Sequence, residues 1–137
     1  MNASILYRVA AVCLVLFAVA HTVGFQQSDP TWGIDALRDS MRSIHFDVQG
    51  FNRTYWELFV GAGLTVGVLY LFSAILAWQL GALPSANLAQ MRVLVWAFAL
   101  CFAGITILSW RYLFAIPIVF SIGITLCLIA GAWFSAE

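Results

Sequence analysis

Four apolar stretches of about 20 residues, each nearly free of charge, constrain this chain more than any other feature of it. They cover about residues 5–25, 54–80, 89–110 and 113–134. A tilted helix needs about 20 apolar residues to cross some 30 Å of hydrocarbon. Lipid offers no water to an unpaired backbone N–H or C=O, so runs of this kind are helices. The expected fold class is therefore all-α: an integral membrane four-helix bundle, one four-span domain over residues 1–137, with both termini on one side. The first stretch also carries Arg8, a short apolar core and Ala18-Val19-Ala20, which resemble the parts of a signal peptide. The expectation adopted is an uncleaved first span.

Composition closes off the other classes. Apolar residues make up 64% of the chain and charged residues 9%, against about 25% charged in a soluble domain. Disorder needs low hydrophobicity and high net charge. Nucleic-acid binding needs a basic face, which a net charge of zero does not supply. Cys13, Cys101 and Cys127 fall inside apolar runs without metal-ligand spacing, so they read as soft packing residues, and no metal or other cofactor is expected.

The connections are unequal. A very short turn around Arg111 and Tyr112 joins the last two stretches as an antiparallel hairpin, and residues 81–87, with Pro84 and Ser85, form a short loop. Residues 26–53 hold most of the charge. Within them Ile34, Leu37, Met41 and Ile44 share one helical face, while Asp35, Arg38, Asp39 and Arg42 share the other. This predicts an amphipathic helix over about residues 31–44, started by Asp29-Pro30-Thr31 and lying at the membrane interface or over the bundle. Trp32, Trp56, Trp78, Trp110 and Trp133 lie near span ends, as an aromatic belt requires, whereas Trp96 lies a few residues inside a span. Four arginines on the long-loop side, against Arg8 and Arg92 on the side of the termini, lean toward cytoplasmic loops.

Small residues recur at helix-face spacing: Gly63 and Gly67 in the second stretch, Ala97, Cys101 and Gly104 in the third, Gly123, Cys127 and Gly131 in the fourth. Such faces let helices approach closely in a solvent that supplies no hydrophobic drive. Each serves either packing within the bundle or a second copy or larger membrane complex, with the Gly63/Gly67 face the foremost candidate for the latter. The remaining partner is membrane lipid.

An ionisable group inside a span costs about 3 kcal/mol on insertion scales and points to function. Two stand out, His21 near the end of the first stretch and Glu57 at the start of the second, both on the long-loop side. The same side holds Arg53, Tyr55, Trp56, His45 and Arg111 as candidate ligand-binding residues. Arg53 and Glu57 are four apart and share a helical face. One expectation is that His21, Arg53 and Glu57 converge in a single hydrogen-bond network. Structurally, Arg53–Glu57 could instead be a staple, and His21 a histidine bonded to a helix carbonyl or to Tyr55.

The run Gly50-Phe51-Asn52-Arg53-Thr54-Tyr55-Trp56-Glu57, followed by Phe59, Gly61 and Gly63 and ending in Ala77-Trp78-Gln79-Leu80, resembles the signature of an uncharacterised family of small bacterial four-span membrane proteins. That family also has a histidine late in its first span, matched by His21. The resemblance covers the first 80 residues and implies a topology and a bacterial cytoplasmic membrane, but no reaction. Four-span glutathione-using enzymes carry a richer pattern, to which only Asn52, Arg53 and Glu57 answer. Small multidrug transporters centre an acid in the first span, and this chain has none there.

Two functions follow from these residues. In the first, the chain is an accessory or scaffold subunit whose polar cluster fixes the long loop. In the second, it binds a quinone, isoprenoid or lipid, with His21 and Glu57 as acid/base residues and Arg53 holding an anionic head.

Overall fold

In the computed structural model, which describes residues 2–135, the apolar stretches are helices. In chain order the elements are α1 (Ala3–Gly24), a 3-10 turn (Pro30–Trp32), α2 (Asp35–Ser43), β1 (His45–Val48), β2 (Phe51–Thr54), α3 (Tyr55–Ala82), α4 (Ser85–Gln90), α5 (Arg92–Tyr112) and α6 (Ala115–Phe134). Helices α1, α3, α5 and α6 are long and apolar enough to cross a membrane, and the chain is an all-α integral membrane protein. At 28 residues α3 is about 42 Å long, more than the hydrocarbon thickness requires.

The span ends differ from the sequence reading by a few residues. Residues 85–87, expected in a short loop, and 89–90, expected to begin the third span, form with Leu88 the separate short helix α4, because Pro84, extended at ψ 150°, starts a new helix there. The turn between the last two spans is Leu113-Phe114 rather than Arg111-Tyr112, which complete α5. Pro117 sits in the first turn of α6, where a missing N–H leaves no intrahelical bond unmade.

The chain divides into two compact units. One comprises Met1–Phe17 with Tyr70–Glu137, the other Ala18–Leu69, so α1 and α3 each contribute to both. The first unit is a four-helix bundle. Its core joins Tyr7, Ala10 and Leu14 of α1, Ala77 and Leu80 of α3, Val95, Ala99 and Phe102 of α5, and Ile124, Leu128 and Ala132 of α6, with Leu88 of α4. Small residues at the contacts allow close approach: the Tyr7 ring lies against Gly131, where a Cβ would come within 3.0 Å of it. Thr106 of α5 and Thr125 of α6 share a hydroxyl hydrogen bond of 2.8 Å. The packed face of α5 is Val95, Phe98, Ala99 and Phe102, and Ala97, Cys101 and Gly104, expected as a packing stripe, are exposed instead.

The second unit contains the long connection. The 3-10 turn starts where Asp29 accepts hydrogen bonds from the Thr31 N–H at 2.8 Å and the Thr31 hydroxyl at 2.6 Å. Gly33, at φ +64°, turns the chain out of it. The amphipathic helix expected over residues 31–44 is thus a turn followed by the shorter α2. A β-hairpin, absent from the sequence reading, links α2 to α3. His45 pairs with Thr54 and Val48 with Phe51, and Gln49 (φ +52°) and Gly50 (φ +84°) make the tight turn between them. Positive φ at both central residues matches the right-handed twist of the strands.

Candidate functional site

The polar residues singled out from the sequence lie mostly in the second unit, and the hydrogen bonds of Glu57, Arg53 and His45 are local ones. Glu57 is in the first turn of α3. Its Oε2 accepts from the Thr54 N–H at 2.7 Å and from the Thr54 hydroxyl at 3.2 Å. The Glu57 N–H donates back to Thr54 Oγ1 at 3.2 Å. This reciprocal pair is a capping box, which satisfies backbone donors that the helix start would otherwise leave unpaired. Its signal, Thr-x-x-Glu ahead of an apolar run, is present in Thr54-Tyr55-Trp56-Glu57 but escaped the sequence reading.

Arg53 belongs to β2, not to the helix, so the helical spacing expected to place it beside Glu57 does not apply. It donates to the Asn52 carbonyl at 2.9 Å and its guanidinium lies 5.5 Å from the centre of the Phe51 ring. Among the described residues, the hydrogen bonds shown for Glu57 stay within its own turn and that of Arg53 stays on its own strand, so they do not join the expected single network with His21.

His21 Nε2 lies 3.0 Å from the Gly63 carbonyl oxygen. A carbonyl can only accept, so Nε2 carries the proton and donates. This is the bond to a helix carbonyl that the sequence left as one alternative. The same pair of helices is fitted at Gly63 and Gly67. The Phe25 ring fills the notch at Gly63, and Thr22 Oγ1 stands 2.6 Å from where a Cβ on Gly67 would be. The glycine face that was the foremost candidate for a second copy is occupied by α1 of the same chain.

Rings continue from this contact. His21 stacks on Phe25 at 5.3 Å, Phe25 meets Phe59 at 5.7 Å, and Phe59 meets Trp56 at 5.5 Å. Above Trp56 lie two guanidinium groups, Arg42 at 4.3 Å and Arg38 at 5.4 Å from the ring centre. Arg38 also donates to the Ser28 hydroxyl, and to the Gln26 carbonyl at 3.1 Å. The sequence reading placed Arg38 and Arg42 on a solvated face. Their i,i+4 spacing instead lays both over one tryptophan, where planar guanidinium groups stack well. Ile34 and Met41 are half-buried, while Leu37 and Ile44 remain 60% and 57% exposed.

The other candidates are dispersed. His45 Nδ1 donates to Asn52 Oδ1 at 2.8 Å, and Asn52 Nδ2 donates to Asp47 Oδ1 at 3.1 Å, which ties the two strands on their exposed side. The Tyr55 ring packs on Phe46 at 4.9 Å. Arg111 ends α5 in the first unit, with its guanidinium 5.4 Å from the Tyr112 ring centre. Among the described residues no group of three His, Cys, Asp or Glu side chains is arranged to hold a metal ion.

Asp29, ahead of the 3-10 turn, titrates under the control of its neighbour Thr31. The Thr31 hydroxyl, and then the Thr31 N–H, hold its carboxyl below the usual carboxylate range. Its role is also that of a cap. Comparison with protein-family models, curated proteins and solved structures finds no match to this chain.

Proposed function

We propose that this chain is an accessory or scaffold subunit of a larger membrane assembly, in which the second unit holds a charged, aromatic connection in one conformation. The resemblance carried by residues 50–57 and His21 supports placing it in a bacterial cytoplasmic membrane. The observation that carries the reading is the fate of Glu57. A general acid or base needs a carboxylate within hydrogen-bond reach of a reacting proton. Both hydrogen bonds that Glu57 accepts come from Thr54 to Oε2, at the start of its own helix. His21, the other acid/base candidate, is engaged with the Gly63 carbonyl.

Two measurements on the full chain test this. Extracted in a mild detergent from native membranes, it should migrate on a native gel in a species larger than the purified chain in the same detergent. Glu57→Gln and His21→Ala should lower thermal stability and change no stoichiometrically bound small molecule in organic extracts. A quinone or isoprenoid present one-to-one, and lost from either variant while its helical signal is intact, overturns the scaffold reading in favour of a ligand site. So does migration as the lone chain in both preparations.

A further inference from the structure

The first unit carries a groove of about 520 Å³ along α1 and α3. Ala11 and Ala74, both 3% exposed, form its floor. Val12, Val15 and Leu16 make one wall and Leu71, Ile75 and Trp78 the other, all of them exposed. The pattern has a simple origin: two small residues face each other where large ones flank them, so the helix surfaces leave a trough. From Leu71 to Trp78 it runs about 10 Å along the helix axis, at 1.5 Å per residue.

One end of the trough is charged. Arg8, one turn before Ala11 and Val12, extends its guanidinium over the Trp78 ring, 5.4 Å from the ring centre. Its stem is held as well. Gly81 lacks the Cβ that would come within 3.0 Å of Arg8 Cγ, and the Ser4 hydroxyl donates to the Gly81 carbonyl. The unit is basic: it contains Arg8, Arg92 and, at the far end of α5, Arg111, and among its described residues no Asp or Glu. Arg8 lies five residues inside α1, about 7.5 Å from its start. A long side chain at that depth carries its head toward the interface. A wholly apolar trough ending in an oriented cation, which no carboxylate among the described residues pairs with, has the polarity of one kind of molecule.

We infer that this groove seats one acyl chain of an anionic phospholipid, with the lipid phosphate held by Arg8 against Trp78. Lipid chains are as apolar as the groove, so the chain contributes fit, and the net negative headgroup contributes selection, because in a zwitterionic lipid the choline cation offsets the same phosphate. Arginine suits the task because its planar fork meets phosphate oxygens in pairs. The site is independent of Glu57 and His21 and holds whether or not the chain is a scaffold.

The test is native mass spectrometry of the purified full chain in a neutral detergent, with equal amounts of phosphatidylglycerol and phosphatidylcholine added. The expected result is one retained phosphatidylglycerol, favoured about fivefold, the factor that one arginine near an anionic surface supplies. Arg8→Gln should bring the ratio to unity and Arg8→Lys should keep most of it, whereas Ile75→Trp, which crowds the trough, should reduce retention of both lipids. Glu57→Gln should change neither. Equal retention of the two lipids by the wild-type chain overturns the inference, as does a preference that survives Arg8→Gln. Displacement of the lipid by soluble glycerol phosphate would show a headgroup site without the groove and overturns it too. If Arg8→Gln does not fold, the wild-type ratio and the Ile75→Trp arm decide the matter.

Discussion

The contact between Thr22 and Gly67 offers a test of how tightly α1 and α3 are fitted in the second unit. A Cβ on Gly67 would lie 2.6 Å from Thr22 Oγ1 and 4.0 Å from Thr22 Cβ. The first distance is shorter than real Cβ contacts allow, and the second is ordinary van der Waals contact. Replacing a mid-helix glycine by alanine gains about 1 kcal/mol of helix propensity. Forcing a methyl group into an occupied site costs about 1–3 kcal/mol. In the wild-type background Gly67→Ala should therefore range from neutral to a loss of about 2 kcal/mol. Thr22→Ala removes the offending oxygen, so in that background the same change should raise stability by up to about 1 kcal/mol. The resulting coupling, about 1–3 kcal/mol, is what contacting pairs show. Unfolding of the four proteins by sodium dodecyl sulfate in mixed micelles, followed by far-UV circular dichroism, measures it. If Gly67→Ala has the same effect with and without Thr22, the fit described here is wrong.

Three further outcomes are expected. Thr54→Ala removes the hydroxyl of the capping box and should cost about 1 kcal/mol in the same unfolding assay; Glu57→Gln, which keeps an acceptor oxygen but loses its charge, should cost less, and the reverse order would refute the cap. Trp56→Leu removes the surface beneath Arg38 and Arg42, so amide exchange across Asp35–Ser43 should quicken while that of α5 and α6 stays as it was. Because its folded carboxyl titrates below the usual range, Asp29 adds stability that is fully present above about pH 4 and fades as pH falls through the lower folded value. Protection of the Thr31 amide should follow that fall in the wild-type chain, and Asp29→Asn should abolish the pH dependence; protection that is flat down to pH 2 would contradict it.

Several features were open to reading from sequence because their causes are local. A backbone in lipid has to satisfy itself within its own segment, so an apolar run is enough to specify a helix. Span ends were off by a few residues for equally local reasons, such as Pro84 starting α4 and Leu113-Phe114 making the last turn. The capping box is likewise local, since Thr54-x-x-Glu57 ahead of an apolar run carries its whole signal. The hairpin had a weaker signal: only Gly50 marks it, since Gln49 is a residue that seldom takes positive φ. Arg38 and Arg42 were read by their charge alone, and a periodic pattern carries no sign that a tryptophan lies opposite.

By itself, then, the sequence determined that the chain is helical, how many spans it has, and where its charge is concentrated, since hydropathy and capping act over a single turn or segment. Tertiary structure alone decided which polar side chains meet partners distant in sequence. Gly63 stands 42 residues from His21, and only the packing of α1 on α3 brings its carbonyl within reach. The same holds for the Arg8–Trp78 contact and the trough beside it, which exist because Ala11 and Ala74 happen to face each other across two helices. Pairings over such distances depend on helix rotation and register, which side-chain volumes across the whole contact set together and no single segment encodes.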